Sequence, residues 1–440
     1  MDKFAEIRVP IAHDNPSIKR HEQKCVLCGK CKDVCKKKIG VAGYWKYDSE
    51  DIVCINCGQC AQVCPVGAIR EQDDTYKLID AINNPNKKVV AITSPATRVS
   101  LGELFGLEPG DFVAGKMAST LRSVGADYVF DVTFGADMTI MEEASELIER
   151  LNNDNNIPLF TSCCPAWVKF VETFYPQYIP NLSTCRSPIA MQSSIIKNYF
   201  AKKEGIKASD IYVVAVTPCV AKKFEAKREE LSGFYGQDTD CVISVKELTK
   251  LIIKLGIDFN SLKDSEFDSP FIGSGAGLIF GASGGVTEAV VRTAIYLSNP
   301  ETPTENPIEF KSLRGYRNVK TAKVKLCGKD IKLCVVFGTN SALEVLSKLK
   351  RLKIDMLEVM ACPNGCVGGG GQPKTANIEN TAISRAMSLY TQDRNSQMRF
   401  SHTNPTILKL YEEYLGSPLS EQAENLLHTT FKERKNGKND

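Results

Sequence analysis

The sequence predicts a small, cysteine-dense α+β unit followed by a large α/β domain whose mostly parallel sheets are flanked by helices. Three observations predict it. Eight cysteines fall in two matching runs between Cys25 and Cys64. Beyond them, strand-like and helix-like patterns alternate, the order that builds parallel sheet with helical crossovers. The chain has 440 residues, 43% hydrophobic and 24% charged, enough for one small and one large core, and this composition excludes disorder as the main state.

Along the chain, residues 1–20 read as a polar lead-in, 21–75 as the unit carrying the eight cysteines, and 84–440 as the large domain. A charged link near Glu71 to Lys77 separates the two. In the large domain the segments Lys88–Thr93, Tyr128–Val132, Pro158–Thr161, Ile211–Thr217 and Met356–Ala361 are short apolar runs that read as strands. Helical patterns lie between them. Lys323–Cys327 and Ile331–Val336 flank Gly328-Lys329-Asp330 and predict a hairpin. The last dozen residues, ending Lys-Asn-Gly-Lys-Asn-Asp, read as frayed.

A formal net charge of +3 gives no global field of the kind that marks a nucleic-acid or membrane partner. The first residues contain no apolar leader core and no twin arginine, and nowhere do about 18 apolar residues follow one another. The expectation is a soluble, cytoplasmic protein. In a reducing compartment seventeen cysteines point to metal ligation rather than disulfides. The four histidines, His13, His21, His402 and His428, lie in no catalytic-looking motif, which argues against histidine-based chemistry.

The two runs are Cys25-x2-Cys28-x2-Cys31-x3-Cys35 and Cys54-x2-Cys57-x2-Cys60-x3-Cys64-Pro65. At this ferredoxin-type spacing three thiolates of one loop hold a cubane and the fourth cysteine ligates the other cluster. Two [4Fe-4S] clusters follow: Cys25, Cys28, Cys31 and Cys64 for one, and Cys54, Cys57, Cys60 and Cys35 for the other. The alternative, a pair of structural zinc sites, rarely uses three cysteines so evenly spaced before a fourth. Lys36 stands where proline often follows the first run. Between Lys19 and Lys46 nine Lys or Arg accompany only Glu22 and Asp33. That stretch is either a docking face for an acidic electron carrier or counter-charge for anionic clusters.

Three further segments join a strand end to cysteine and small residues: Thr161-Ser-Cys-Cys-Pro-Ala-Trp167, Thr217-Pro-Cys-Val-Ala-Lys-Lys-Phe-Glu225, and Glu358 to Pro373 with Cys362, Cys366 and a run of four glycines. In α/β domains the loops at the strands' carboxyl ends line the ligand crevice. The glycines suit a backbone passing close to a bulky cofactor. Cys185, Cys241, Cys327 and Cys334 have no motif around them and read as buried small hydrophobes.

These segments resemble the three signature motifs of the [FeFe]-hydrogenases, and with the α+β ferredoxin-like runs the resemblance covers nearly the whole chain. It implies an α/β H-cluster domain and reversible conversion of protons and electrons to H2. The H-cluster would be a [4Fe-4S] cubane on Cys164, Cys219, Cys362 and Cys366, joined to a two-iron subcluster with CO, cyanide and azadithiolate. The resemblance also implies a ferredoxin or flavodoxin as electron carrier, and maturation proteins that load the two-iron unit.

Cys163 matches the family's proton-transfer cysteine, and Glu143, Glu146, Arg150 and Ser183 its proton path. The segment Ile140 to Arg150 reads as a helix with Glu143, Glu146 and Arg150 on one face; periodicity alone would make that an ordinary solvated face. Lys222 matches the lysine that contacts a cyanide, and Glu225 closes its motif. Pro95, Pro188, Phe280 and Met360 match pocket residues.

Departures from the best-known members lie around the pocket. They are Thr217 and Thr287 for methionines, Ile189 for glutamine, and Ser94 and Ala96 beside Pro95. This pattern is similar to the divergent clade called group B. Two rival classes share the ancestry: a cluster-assembly scaffold, which lacks the complete catalytic apparatus, and a sensory hydrogenase, which carries an added sensor region. The Cys163-Cys164 pair and the intact acidic helix favour the enzyme.

Overall fold

The computed structural model describes residues 4–42, 52–153, 155–302 and 308–434. Lys46 of the basic stretch and the final six residues of the expected frayed end lie outside the described residues. Among the described residues no helix is long and apolar enough to cross a membrane.

The N-terminal unit is held by two short antiparallel strands, Ile18–Arg20 from the end of the lead-in and Ile69–Glu71. The duplication in sequence is a duplication in backbone. Leu27 and Gly29 in the first run, and Asn56 and Gly58 in the second, all have positive φ. Each pair wraps the chain around its cysteines before a short helix begins, at Lys30 and at Gln59. Such turns aim backbone N–H groups inward toward an anion; the Asn56 N–H donates to the Cys54 sulfur at 3.3 Å.

Among its described residues the large domain contains two main sheets and a two-stranded ribbon of Ser232–Gly233 with Gly236–Gln237. The first is wholly parallel, in the order Tyr128–Asp131, Lys88–Thr93, Ile211–Thr217, Cys241–Ser244. Its central strands are continuous apolar runs because both faces are covered. Val89 and Val214 pack against Leu121 and Leu248, and Val90 and Ile92 face the opposite core with Phe134 and Met191. The second sheet runs Lys311–Ser312, Val319–Leu326, Lys329–Phe337, Met356–Met360, Leu159–Phe160, antiparallel over its first three strands and parallel over the last three.

The five expected strands form, with ends shifted by one residue at most. Val132 leaves the sheet to open the helix Val132–Asn153. Cys241–Ser244 is a strand the sequence reading missed. The hairpin is present, but its loop is Cys327-Gly328, since Leu326 pairs with Lys329. Both loop residues have positive φ, the turn whose twist matches the flanking strands. Cys327 is therefore a half-buried turn residue and not a core hydrophobe, whereas Cys185, Cys241 and Cys334 are buried as expected.

The helix Val132–Asn153 runs between the two sheets. Val132, Phe134 and Met138 enter one core, and Ala136, Ile140, Ala144 and Leu147 enter the other. Its acidic residues Glu142, Glu143 and Glu146 are thus buried, so the solvated-face reading is excluded.

The N-terminal unit shares a core with the large domain. Ile39, Val41, Ile55 and Cys57 pack with Trp167, Phe170, Val336 and Ala342. Glu71 pins the same junction, paired to Lys246 at 3.0 Å and Lys250 at 3.4 Å. Burial works against its charge, but the two lysines and its hydrogen bonds prevail and hold its pKa down at about 2, against 4.5 ordinarily. The unfolded chain takes up this proton near pH 4.5 and the folded chain only near 2, so protonation in that window favours unfolding. In cofactor-free protein this group should cost at most about 3 kcal/mol of stability as pH falls through the window. Urea unfolding across it should give a flatter acid limb for Glu71→Gln than for the parent.

Candidate metal centre and proton path

The cysteines gather into three groups. Cys25, Cys28, Cys31 and Cys64 line one small cavity together with Arg8 and Arg20. Cys35, Cys54, Cys57 and Cys60 line a second, deeper in the junction. These are the two crossed sets that the spacing predicts. They differ in setting: Cys28 is exposed, whereas burial pushes the Cys57 and Cys60 thiols well up. Among the described residues no three His, Cys, Asp or Glu side chains converge closely enough for a single metal ion.

The third group comes from three loops at strand ends. Cys163, Cys164, Cys219 and Cys366 line one cavity, and Cys362 lies within electrostatic reach of Cys164, Cys219 and Cys366. Burial pushes the Cys219 thiol up to about 12.

The glycine run also packs tightly against protein. A Cβ on Gly370 would collide with the carbonyl of Cys57, and one on Gly369 with the carbonyl of Pro218. The run passes close to other backbone, between the Cys57 loop and the Cys219 loop. The Gln62 amide donates to the carbonyls of Gly369, Gly370 and Gln372 at 3.0, 3.1 and 2.7 Å, and the Gln59 amide to Gly368 at 2.9 Å. Two glutamines beside the second cysteine run therefore grip the segment that follows Cys366. Sequence reasoning missed them.

Pro95, Pro188, Thr217, Phe280, Met360 and Lys222 all line the third cavity, as do Ser94, Ala96 and Ile189. Glu225 stands behind. The Lys222 ammonium donates to both Glu225 oxygens, at 2.9 and 2.7 Å, and to the Cys163 carbonyl at 3.2 Å. Burial alone would lower the Lys222 pKa, but the Glu225 charge outweighs it and raises it. Lys223 is buried too, held by Asp74 and Glu247, so neither lysine of the motif is on the surface. The Thr217 hydroxyl accepts from the Cys219 N–H at 3.3 Å. Thr287 lies outside the cavity wall. Its N–H and hydroxyl donate to Glu358 at 2.9 and 3.0 Å, with the Gly284 N–H donating at 2.6 Å. Glu358 thus fastens a helix N-terminus to the strand that leads to Cys362.

The acidic helix faces this cavity. Glu143 is buried and neither of its oxygens has a hydrogen-bond partner. Burial first, then the charges of Glu146 and Glu358, push its carboxyl well above the usual range. Burial and Glu143 do the same to the Cys163 thiol, which places these two groups within electrostatic reach of each other. Ser183 donates to Glu146 at 2.6 Å, and Arg150 donates to Glu146 at 2.6 Å while also holding the Leu182 carbonyl. All five expected path residues therefore lie together.

Residues 87–370 match the family described as iron-only hydrogenase large subunit, C-terminal domain, residues 379–434 the iron hydrogenase small subunit, and residues 53–70 a 4Fe-4S binding domain. The chain is 42% identical to the NADP-reducing hydrogenase subunit HndD of Solidesulfovibrio fructosivorans, over 95% of this chain and 75% of that one. It is 39% identical to iron hydrogenase 1 of Clostridium pasteurianum, over 93% and 75%. An apo [FeFe]-hydrogenase from Chlamydomonas reinhardtii superposes with a TM-score of 0.75 at 34% identity, covering 82% of this chain and 99% of that one. Protein NAR1 of Arabidopsis thaliana is similar at 29% identity, over 82% and 81%.

The third cavity suits the cofactor of that family. Four thiols from three loops line it, a held ammonium reaches its edge, and a carboxyl without a hydrogen bond lies within electrostatic reach of Cys163. The Lys222–Glu225 pair makes a test of the empty protein. Lys222→Met strands a buried carboxylate and should cost roughly 3–5 kcal/mol, whereas Lys222→Met with Glu225→Met should recover most of it. Denaturant unfolding of both variants checks this.

Proposed function

We propose the following function for this chain, which belongs to the iron-only hydrogenase family: it interconverts protons, electrons and H2 at an H-cluster. Electrons would be exchanged with a ferredoxin or flavodoxin through two [4Fe-4S] clusters. The observation that carries the reading is the orphaned, buried Glu143 carboxyl behind Cys163 at the cavity wall. A buried acid without partners is costly to keep, and a proton route to a cavity accounts for it.

In this reading Cys25, Cys28, Cys31 and Cys64 hold the outer cluster and Cys35, Cys54, Cys57 and Cys60 the inner one. Cys164, Cys219, Cys362 and Cys366 hold the H-cluster cubane. The bound cofactor supplies the electron storage and hydride chemistry. Cys163 passes protons between the cavity and Glu143, and Ser183 and Glu146 carry them outward, with Arg150 holding Glu146 in place. Lys222 presents its ammonium to a polar ligand of the two-iron unit, and Pro95, Pro188, Thr217, Phe280 and Met360 exclude water. Lys24, Lys30, Lys36, Lys37 and Lys38 are exposed on the segment that also carries the exposed Cys28, which supports docking of an acidic carrier on this segment. The assembly reading, raised by the NAR1 likeness, leaves the complete thiol and acid path without a use.

Anaerobically matured protein should show infrared bands of CO and cyanide and evolve H2 from a reduced low-potential carrier. Cys163→Ser and Glu143→Gln should each lower turnover by at least about 100-fold while the bands persist. Near-normal H2 evolution in either variant would sink the relay, and bands without turnover in the parent would sink the enzyme reading.

A further inference from the structure

His428, which no sequence pattern marked, sits against the middle of the acidic helix, at Glu142. It closes the helix Glu421–Leu427. Its Nε2 faces Glu142 Oε2 at 3.1 Å, and its Nδ1 lies 2.8 Å from the Thr184 hydroxyl. That hydroxyl is 3.4 Å from Glu146 Oε1, the oxygen that Arg150 also holds. Glu142 also accepts from the Tyr411 hydroxyl on Oε1 and from the Leu419 N–H on Oε2. Resting on the hydrogenase reading above, we propose that His428 is a positioning residue of the proton path: the charge on its ring decides which way the Thr184 hydroxyl points, and so how many donors hold Glu146.

The argument is a count of hydrogens. Glu142 is an acceptor held by two donors, so the ring nitrogen facing it carries a hydrogen. In the neutral ring Nδ1 is then a bare acceptor, and the single Thr184 hydrogen turns toward it. In the charged ring Nδ1 carries a hydrogen and donates to the Thr184 oxygen, which frees the hydroxyl hydrogen for Glu146 Oε1. Protonating His428 thus adds a donor to Glu146 and makes it a weaker base. His428 is 9% exposed, so the proton can come from solvent.

The groups facing the ring fit this role. The acidic helix contributes Glu142, with Glu146 behind Thr184. The facing segment contributes Cys185, whose backbone bridges to His428 and whose thiol lies 3.9 Å from Glu146 Oε2, and Arg186, whose Nε donates to the His428 carbonyl at 2.8 Å and whose charge is shared with Asp238 at 3.2 Å. The helix Pro405–Leu410 and the turn after it contribute only the Tyr411 hydroxyl. Histidine is the side chain whose charge changes in the range where such coupling matters.

The test reads Glu146 directly in cofactor-free protein, by infrared titration of its carboxyl band assigned with Glu146→Gln. In the parent the Glu146 titration should be displaced from that in His428→Gln and in Thr184→Val by about ten-fold in proton affinity, one pH unit. The two variants should agree, since one removes the charge and the other the hydroxyl. Superposable Glu146 titrations in parent and variants overturn the proposal. If His428→Gln does not fold, Thr184→Val decides, because it keeps the ring. In matured enzyme the pH profile of H2 evolution should lose an inflection in both variants while the CO and cyanide bands are unchanged. Displaced titrations in a parent that does not turn over would defeat the hydrogenase reading and leave the hydroxyl coupling standing. Turnover with superposable titrations would defeat the coupling alone.

Discussion

The close passage of residues 368–371 between two cysteine loops is the constraint on which the rest of the arrangement depends. Only a chain without side chains can lie against the carbonyls of Cys57 and Pro218 at once. That passage brings the Cys57 loop, the Cys219 loop and the segment after Cys366 into one junction, and Gln59 and Gln62 lock it with donors to four successive or near-successive carbonyls. Moving any of the three loops would separate the inner thiol group from the third cavity.

Around this junction the fold buries charge in pairs. Lys223 sits between Asp74 and Glu247, Lys222 on Glu225, Arg228 and Arg434 on Glu172. Unpaired, each would cost several kcal/mol; paired, they fix the geometry of loops that have little regular structure. Among the described residues Glu143 is a buried acid with neither oxygen in a hydrogen bond, and it lies within electrostatic reach of Cys163, which lines the third cavity. A structure that satisfies its other acids so thoroughly makes the unsatisfied one informative.

The departures from the best-known family members acquire physical content in the same way. Thr217 turns its hydroxyl to the Cys219 N–H, so the replaced thioether becomes a local backbone cap at a cavity-lining position. Thr287 contributes a donor to Glu358 and does not reach the cavity. The first alters the pocket; the second strengthens an anchor behind it.

Much of this protein is written in local pattern. Cysteine spacing and apolar runs of four to seven residues are properties of short segments, so the two crossed thiol sets, the parallel sheet and the loops bearing Cys164, Cys219, Cys362 and Cys366 could be read from the chain alone. The family followed from three motifs taken together. What the sequence could not reveal was every relation between distant segments. Periodicity made the acidic helix look solvated, because whether a polar face is buried depends on what packs on it. The glycine run looked like a cradle for a cofactor, because sequence shows that a backbone must come close to something and not to what. His428 carried no signal at all, since its neighbours Glu142 and Thr184 lie more than 240 residues away. Tertiary structure decided these points, for contact between remote residues is set by the packing of whole elements and not by the residues that meet.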